Sequence, residues 1–373
     1  MYIGQQLADD RFAFYKDILP GIRDQIVFDE EFNAWFVFNV RHLNLLVRDE
    51  RLLANTKASL KELPLNADTL QVLEQFYSNW VMFTDGDLHK TLRRRVNTLI
   101  LDRYRNIDYR WGPMDKQGDF SELYAVPYVY NILAQLIGIS EKDVALLIKA
   151  SEQINSLLLR GYLTIHDFDA VAQSIRQAYQ LVNDVDSRYR DSDRYVGNAL
   201  LDLPSEQKYP LLINLVSDGF APFVAALNFL AYNLLTHPEL EQEADSRSDD
   251  ICAESLRLFP PFTTISRVCS EEVQVGDAHI LPGQLVIFDL YSINRDPECF
   301  PDPDCFNLAN TERAYSFGAG KHLCSGNPLV RKALGAVTKQ SGQIYKYELV
   351  DSKFINLYGS TDMKLTIKKN TRL

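Results

Sequence analysis

Residues 209–236, YPLLINLVSDGFAPFVAALNFLAYNLLT, are the longest apolar stretch of the chain and constrain its fold more than any other segment. The run is long enough to cross a bilayer, for which about 20 residues suffice. Yet Asn214, Ser217, Asp218, Asn228 and Asn233 interrupt it and Pro222 sits mid-run. This pattern predicts a helix buried through the centre of a soluble protein, because polar groups are tolerated there where neighbours satisfy them. Pro210 suits a helix start. Pro222 has no N–H to give and its ring crowds the carbonyl of Asp218, four residues back, so a kink and a freed carbonyl are expected.

A helix that is apolar all round needs a jacket of other elements, and the flanking sequence supplies one. From about Asp85 to Gln180 apolar residues recur at helical spacing, as in LHKTLRRRVNTLI and EKDVALLIKASEQINSLLL. AWFVFNV (34–40) reads as a strand of a small sheet and HLNLLVRDERLLAN as a short amphipathic helix. After Pro261, VQVGDAHILPGQLVIFDLY alternates β-branched residues with Gly and Pro punctuation, and KYELV with MKLTIKK reads as a closing hairpin. The expected fold is mainly α with a minor β portion. No repeat, low-complexity stretch or Pro/Gly/Ser-rich linker marks a boundary, so residues 1–373 are expected to form one domain.

A formal net charge of -11 argues against nucleic acid or an anionic membrane surface as the main partner. The first residues carry acids early and lack a continuous apolar run, so no signal peptide or membrane anchor is read there and a cytoplasmic location is the default expectation. Five cysteines (Cys252, Cys269, Cys299, Cys305, Cys324) without a CxxC pair read as reduced thiols rather than a disulfide framework.

Cys324 stands apart from the other four. In FGAGKHLCSGNPLVRKALGAV, glycines 318, 320 and 326 surround it and a helical pattern starts just after it. A sulfur at a helix N-terminus faces unpaired backbone N–H groups and the positive end of the dipole, which lowers a thiol pKa and tempers donation to a metal. The glycines let the loop turn tightly and let a flat macrocycle lie against the backbone. A lone cysteine is usually a small buried hydrophobe. Here Phe317, Gly318, Gly320, His322, Cys324 and Gly326 follow FGxGxHxCxG without exception, and this segment resembles the ligand signature of the cytochrome P450 family, of bacterial soluble type.

The resemblance spans nearly the whole chain and implies that family's triangular, mostly helical fold with small peripheral sheets. It implies haem b as cofactor, with Cys324 as iron ligand. Arg267 matches an arginine that holds a haem propionate, His89 and Arg93 in TDGDLHKTLRRR match a second such clamp, and His322 adds to them. Arg94 and Arg95 read as a solvated basic face. Glu254 and Arg257 of ESLR, followed by FPP, RV, PG, NRDP and FPDPDCFN, look like the family's buried structural pair. The family commonly sets an arginine where this chain has Cys305, so the three-way network is expected to be incomplete. By analogy, substrate contacts fall on Phe220, Ala221, Thr263, Thr264, Ile265 and Tyr358.

The central helix departs from the family pattern. A small-residue pair followed by an acid and an alcohol is usual there and handles protons. The corresponding residues are Gly219, Phe220, Ala221 and Pro222, so both proton-handling side chains are missing. Asp218, with Ser217 beside it, lies one turn before Pro222 on roughly the same face and is the candidate replacement. The leading expectation is a monooxygenase that oxidises a small organic molecule of secondary metabolism with dioxygen. Its electrons would come from a ferredoxin or reductase docked near Lys321, Arg331 and Lys332. Loss of the relay opens an alternative, a peroxide-using, coupling or rearranging enzyme. Fatty-acid peroxygenases of the family also carry proline at the alcohol position, but with an arginine before it, which Ala221 cannot replace. A non-catalytic auxiliary protein of the same fold is the reading from outside enzymology.

Overall fold

The computed structural model describes residues 3–54, 60, 63–159, 164–357 and 359–370. Its axis is the helix Ser205–Thr236, packed on all sides by the helices Val126–Ile137, Glu141–Leu159, Ile165–Tyr189 and Ser248–Leu258 and by the closing hairpin. The helix is long and apolar enough to cross a membrane, yet 67% of its most apolar window is buried inside the fold, which is how a core helix meets its hydrophobic demand. It begins at Ser205, so Pro210 lies inside it rather than at its start, and it continues through Pro222. A proline removes only the donor to the carbonyl four residues back, and tight packing of the second half, Phe223 to Ala231, holds the helix together across that gap.

The sheets lie to the side. The larger has the order Val27–Asp29, Ala34–Val37, Leu285–Asp289, Thr264–Cys269, Leu52–Leu53. Ala34–Val37 runs parallel to Leu285–Asp289, with Phe36 opposite Ile287, and the other pairs are antiparallel. The hairpin Tyr347–Leu357 with Ser360–Lys369 closes the chain as expected and pairs with Gly118–Asp119.

The helix read over HLNLLVRDERLLAN is shorter than its sequence pattern. It spans Val40–Leu46, capped by Asn39, whose side-chain oxygen accepts from the His42 N–H at 2.8 Å. The Asp49 carboxylate then accepts from the backbone and guanidinium of Arg51, a tight turn that ends the helix and delivers Leu52–Leu53 to the sheet edge opposite Val268 and Cys269.

Candidate functional site

The cysteine loop is built by two left-handed glycines. Gly318 (φ 73°) donates to the Tyr315 carbonyl at 2.7 Å, and Gly320 (φ 71°) sits where any Cβ would lie 2.8 Å from the Val47 carbonyl oxygen. The Cys324 N–H donates to the Phe317 carbonyl at 3.0 Å, folding the loop back on itself before the helix Asn327–Lys339 starts with Pro328 in its first turn. The Arg331 guanidinium lies 5.4 Å over the Phe317 ring. Gly326 presents its face to the sulfur, which an added Cβ would meet at 3.6 Å.

Cys324 is exposed by surface area, yet burial pushes its thiol up. Both hold when the sulfur lines a deep space within the fold rather than the outer surface. The N–H groups of Gly326 and Asn327 and the charge of Arg93 act in the opposite direction, as expected at a helix start, but burial outweighs them. The shift thus runs opposite to the lowering expected from the helix start, because burial is the larger effect.

Above the loop, the helix Gly86–Arg103 brings in His89 and Arg93, and the strand Thr264–Cys269 brings in Arg267. The Arg93 guanidinium donates to the Leu323 carbonyl, next to the cysteine. Arg267 is buried and donates to the Ser266 carbonyl at 2.7 Å. Neither arginine forms an ion pair among the described residues. His89 stacks on His322 at 4.0 Å with the rings 13° apart, and its Nε2 is buried without a hydrogen-bond partner. Burial, then His322 and Arg93, push His89 down to about 4, and burial also lowers His322. The sequence reading missed Asp85, whose Oδ1 lies 3.8 Å from His322 Nε2 and accepts the Ala54 N–H at 3.1 Å. It immediately precedes that helix and reads as a plain cap in TDGDLHK.

These observations fit a haem. Two guanidiniums without carboxylate partners among the described residues and an orphaned buried imidazole nitrogen would suit a pair of propionates, and the Cys324 thiol would suit the iron as its sulfur ligand. Among the described residues no three His, Cys, Asp or Glu side chains gather as a metal cluster, so the protein offers an iron one sulfur rather than a full ligand set.

On the opposite wall, Asp218 is half-buried on the central helix. The Trp80 indole N–H donates to its Oδ2 at 2.7 Å and the Ser217 hydroxyl to its Oδ1 at 3.2 Å. Burial raises Asp218 to about 7 against these two hydrogen bonds. Its charge reaches Cys324, whose ionisation it opposes. Ala221 is exposed although Phe223 to Ala231 beyond it are all buried, and it lies three residues after Asp218 on roughly the same face of the helix.

Two expected substrate contacts are corrected. Phe220 is about 200° around the helix from Asp218, and its ring stacks on Tyr130 at 5.2 Å, between helices rather than in the site. Thr263 is fully buried; its N–H donates to the Gly359 carbonyl at 2.9 Å and its carbonyl accepts from Leu290 at 2.7 Å, so it locks the hairpin to the sheet. Thr264 and Ile265 are half-buried, Thr264 lying against Gly359 in the hairpin turn. Tyr358 lies outside the described residues.

Glu254 and Arg257 form a bidentate pair with both contacts at 2.7 Å and side chains 4% and 1% exposed. The network is more complete than expected: Asn310 Nδ2 and the Asn307 N–H each reach Glu254 at 2.9 Å, and Cys305 joins through its carbonyl, which accepts from Arg257 at 3.0 Å. Arg257 also donates to the Asn294 carbonyl at 3.0 Å, and Asn294 donates to the Ser316 hydroxyl at 3.0 Å, one residue before Phe317. The pair is thereby tied to the cysteine loop.

Comparison with known proteins finds relatives along most of the chain. The cytochrome P450 family model matches residues 248–364, which include Glu254, Arg257, Arg267 and Cys324. The chain is 26% identical to cytochrome P450 119 of Sulfurisphaera tokodaii over 87% of this chain and 92% of that one. It is 27% identical to the 6-deoxyerythronolide B hydroxylase of Saccharopolyspora erythraea, over 80% of each. Among solved structures it superposes on P450BioI, crystallised with a fatty-acyl-loaded acyl carrier protein, with a TM-score of 0.82 at 20% identity over 98% of this chain and 99% of that one. The Bacillus subtilis bacillaene polyketide synthase cytochrome P450 PksS gives 0.79 at 18% identity over the full length of both.

Proposed function

The chain belongs to the cytochrome P450 family and is a monooxygenase of that family, and from this premise we propose that residues 1–373 act as one cytoplasmic haem-thiolate domain that oxidises a small organic molecule of secondary metabolism. The carrying observation is Cys324 at the start of its helix, with Arg93 and Arg267, neither in an ion pair among the described residues, and the orphaned His89 nitrogen nearby. Haem b, when bound, supplies an iron centre for oxygen activation whose electronics the thiolate tunes.

The protein's own part is to hold and to protonate. Cys324 would hold the iron, and Arg93, Arg267, His89 and His322 would grip the carboxylates. Asp218 would serve as the proton-bearing group of the distal wall: at neutral pH its carboxyl is poised between its two forms, with Ser217 at Oδ1 as the next hydrogen-bonding station. Ala221, Thr264 and Ile265 would line the substrate space. Electrons would come from a ferredoxin or reductase on the cysteine side, where Lys321, Arg331 and Lys332 are exposed. The hydroxylase relative supports the secondary-metabolite reading.

The test is the absorption spectrum of the reduced protein with carbon monoxide. A strongly red-shifted Soret band that disappears in Cys324→Ser is expected, and its absence from haem-loaded wild-type protein would overturn the assignment. One feature favours a second reading, use of peroxide or a coupling reaction: Ala221 and Pro222 leave no acid or alcohol beyond Asp218 on this face. Turnover of a broad substrate panel with peroxide but never with a ferredoxin system would select it.

A further inference from the structure

The central helix carries a polar stripe of which the haem-thiolate reading uses only part: it gives Asn214 no role and Asp218 only a proton. Asn214, Ser217, Asp218 and Ala221 fall at i, i+3, i+4 and i+7, one face of the helix. Asn214 is buried, 7% exposed, and neither its amide oxygen nor its amide nitrogen has a hydrogen-bond partner. Asp218 is a half-buried carboxylate with only two donors, Trp80 and Ser217, for about four lone-pair sites. It forms no ion pair among the described residues. Pro222 has no N–H for the Asp218 carbonyl, so that oxygen has lost its helical donor. Three acceptors therefore lie within one helical turn, about 6 Å of rise: the Asn214 amide oxygen, the Asp218 carboxylate and the Asp218 carbonyl.

Burying a carboxylate without a counter-charge is unfavourable, and burying an amide with both ends unpartnered is unfavourable too. Natural proteins keep such groups where a ligand completes them. The Asn214 and Asp218 oxygens call for hydrogen-bond donors and the carboxylate for positive charge, while the Asn214 amide nitrogen keeps a donor for an acceptor elsewhere on the same ligand. The wall behind Asp218 is aromatic, with Tyr77 and Phe83 packed on Trp80 at 5.5 and 5.3 Å, an apolar backing that adds to the cost of leaving the carboxylate uncompensated.

We infer that the Asn214–Asp218 stripe is a substrate-recognition subsite for a protonated amine, with the ammonium N–H groups donating to Asp218 and Asn214 and the apolar remainder of the substrate directed past Ala221. The inference rests on the haem-thiolate reading for the direction of the site and adds the substrate's polar end. Asp218 then sets which molecules enter, in addition to carrying a proton.

Equilibrium binding tests it without turnover. Isothermal titration of the haem-loaded protein at about pH 8 with N,N-dimethyldecylamine, 1-decanol and decanoate compares a cation, a neutral donor and an anion of one chain length; the hindered tertiary amine disfavours iron ligation. Wild-type protein is expected to bind the amine most tightly and decanoate least. Asp218→Asn should weaken the amine roughly thirtyfold, as for loss of one partner of a desolvated charge pair, while changing decanol less than about threefold. Asn214→Ala should weaken the amine several-fold and serves if Asp218→Asn fails to fold. Equal affinity for amine and decanol in the wild type, or an equal loss of both in Asp218→Asn, overturns the inference. The carbon monoxide band of the same samples separates the outcomes: a normal band with flat selectivity sinks the amine subsite alone, and an absent band sinks the haem-thiolate reading.

Discussion

The indole N–H of Trp80 donates to the Asp218 carboxylate at 2.7 Å across 138 residues of sequence. Trp80 is itself fixed, buried and packed edge-on against Phe76 and Phe83. The carboxylate is thus held by a rigid donor, which keeps it on the site face and opposes part of the burial that raises it. Trp80→Phe should cost about 1.5–3 kcal/mol beyond its packing loss, the worth of a hydrogen bond to a charged group. The charged form alone gains this bond in full, so the loss should be larger at pH 8 than at pH 5. Thermal unfolding at the two pH values reads the difference; an equal loss at both would mean that only packing was removed.

Breaking the Glu254–Arg257 pair should be severe. Removing one partner leaves a buried, uncompensated charge, at a cost of about 3–5 kcal/mol, and loosens Asn294 and Ser316 behind the cysteine loop. Glu254→Gln is expected to lower both the unfolding midpoint and the haem content of purified protein. Asn310→Ala removes one hydrogen bond to Glu254 and should cost only about 1 kcal/mol with haem retained.

The contrast between these networks shows what sequence can carry. The cysteine loop was legible because its glycines, histidine and cysteine act within ten residues, where spacing nearly fixes geometry. Glu254 with Arg257 was legible as a pair of helical neighbours, whereas His89 and Arg93 were named only through the family resemblance. Trp80 was not, because nothing local distinguishes it from an ordinary core tryptophan; only the packing of its segment on the central helix brings it to Asp218. Asn310 escaped for the same reason, standing in where an arginine was looked for at Cys305. Phe220 came by analogy with the family, and analogy does not fix facing: on this helix it points about 200° away from Asp218 and stacks on Tyr130. Leu52 and Leu53 continue a helical pattern in sequence, and only the Asp49–Arg51 turn sends them to the sheet.

Gly320 gives a sharp steric test. At φ 71° an alanine carries a left-handed penalty of about 1–2 kcal/mol, and its Cβ would also lie 2.8 Å from the Val47 carbonyl oxygen, a backbone atom that cannot swing away. Gly283 has a similar φ of 84° but nothing within 4 Å of an added Cβ. Gly283→Ala should therefore show the strain alone, with haem content unchanged. Gly320→Ala should lose more stability and bind haem poorly, because the displaced segment leads into His322 and Cys324. Equal behaviour of the two variants would mean that the cysteine loop absorbs the contact.

Asp218 also gives the fold a pH dependence of definite sign. Its carboxyl titrates near 7 in the folded chain, against 3.8 as the ordinary value, so between those limits the folded state holds a proton that the unfolded state has released. Stability from this group is fully present below about pH 4, falls as pH rises, and is level again above about pH 7. At 1.36 kcal/mol per unit the span is on the order of 4 kcal/mol. Asp289 and Asp362 are also raised by burial and slope the same way, but they remain in Asp218→Asn, so the difference between wild type and variant isolates Asp218. The groups near enough to modulate it are Trp80, Ser217, Tyr77 and Cys324. Urea unfolding from pH 5 to pH 8 should show the variant gaining on the wild type as pH rises; parallel curves would place the Asp218 carboxyl in its ordinary range. In the same window, binding of N,N-dimethyldecylamine to wild-type protein should tighten about tenfold per pH unit below 7 and level off above it, because the ammonium recruits the carboxylate form and releases its proton.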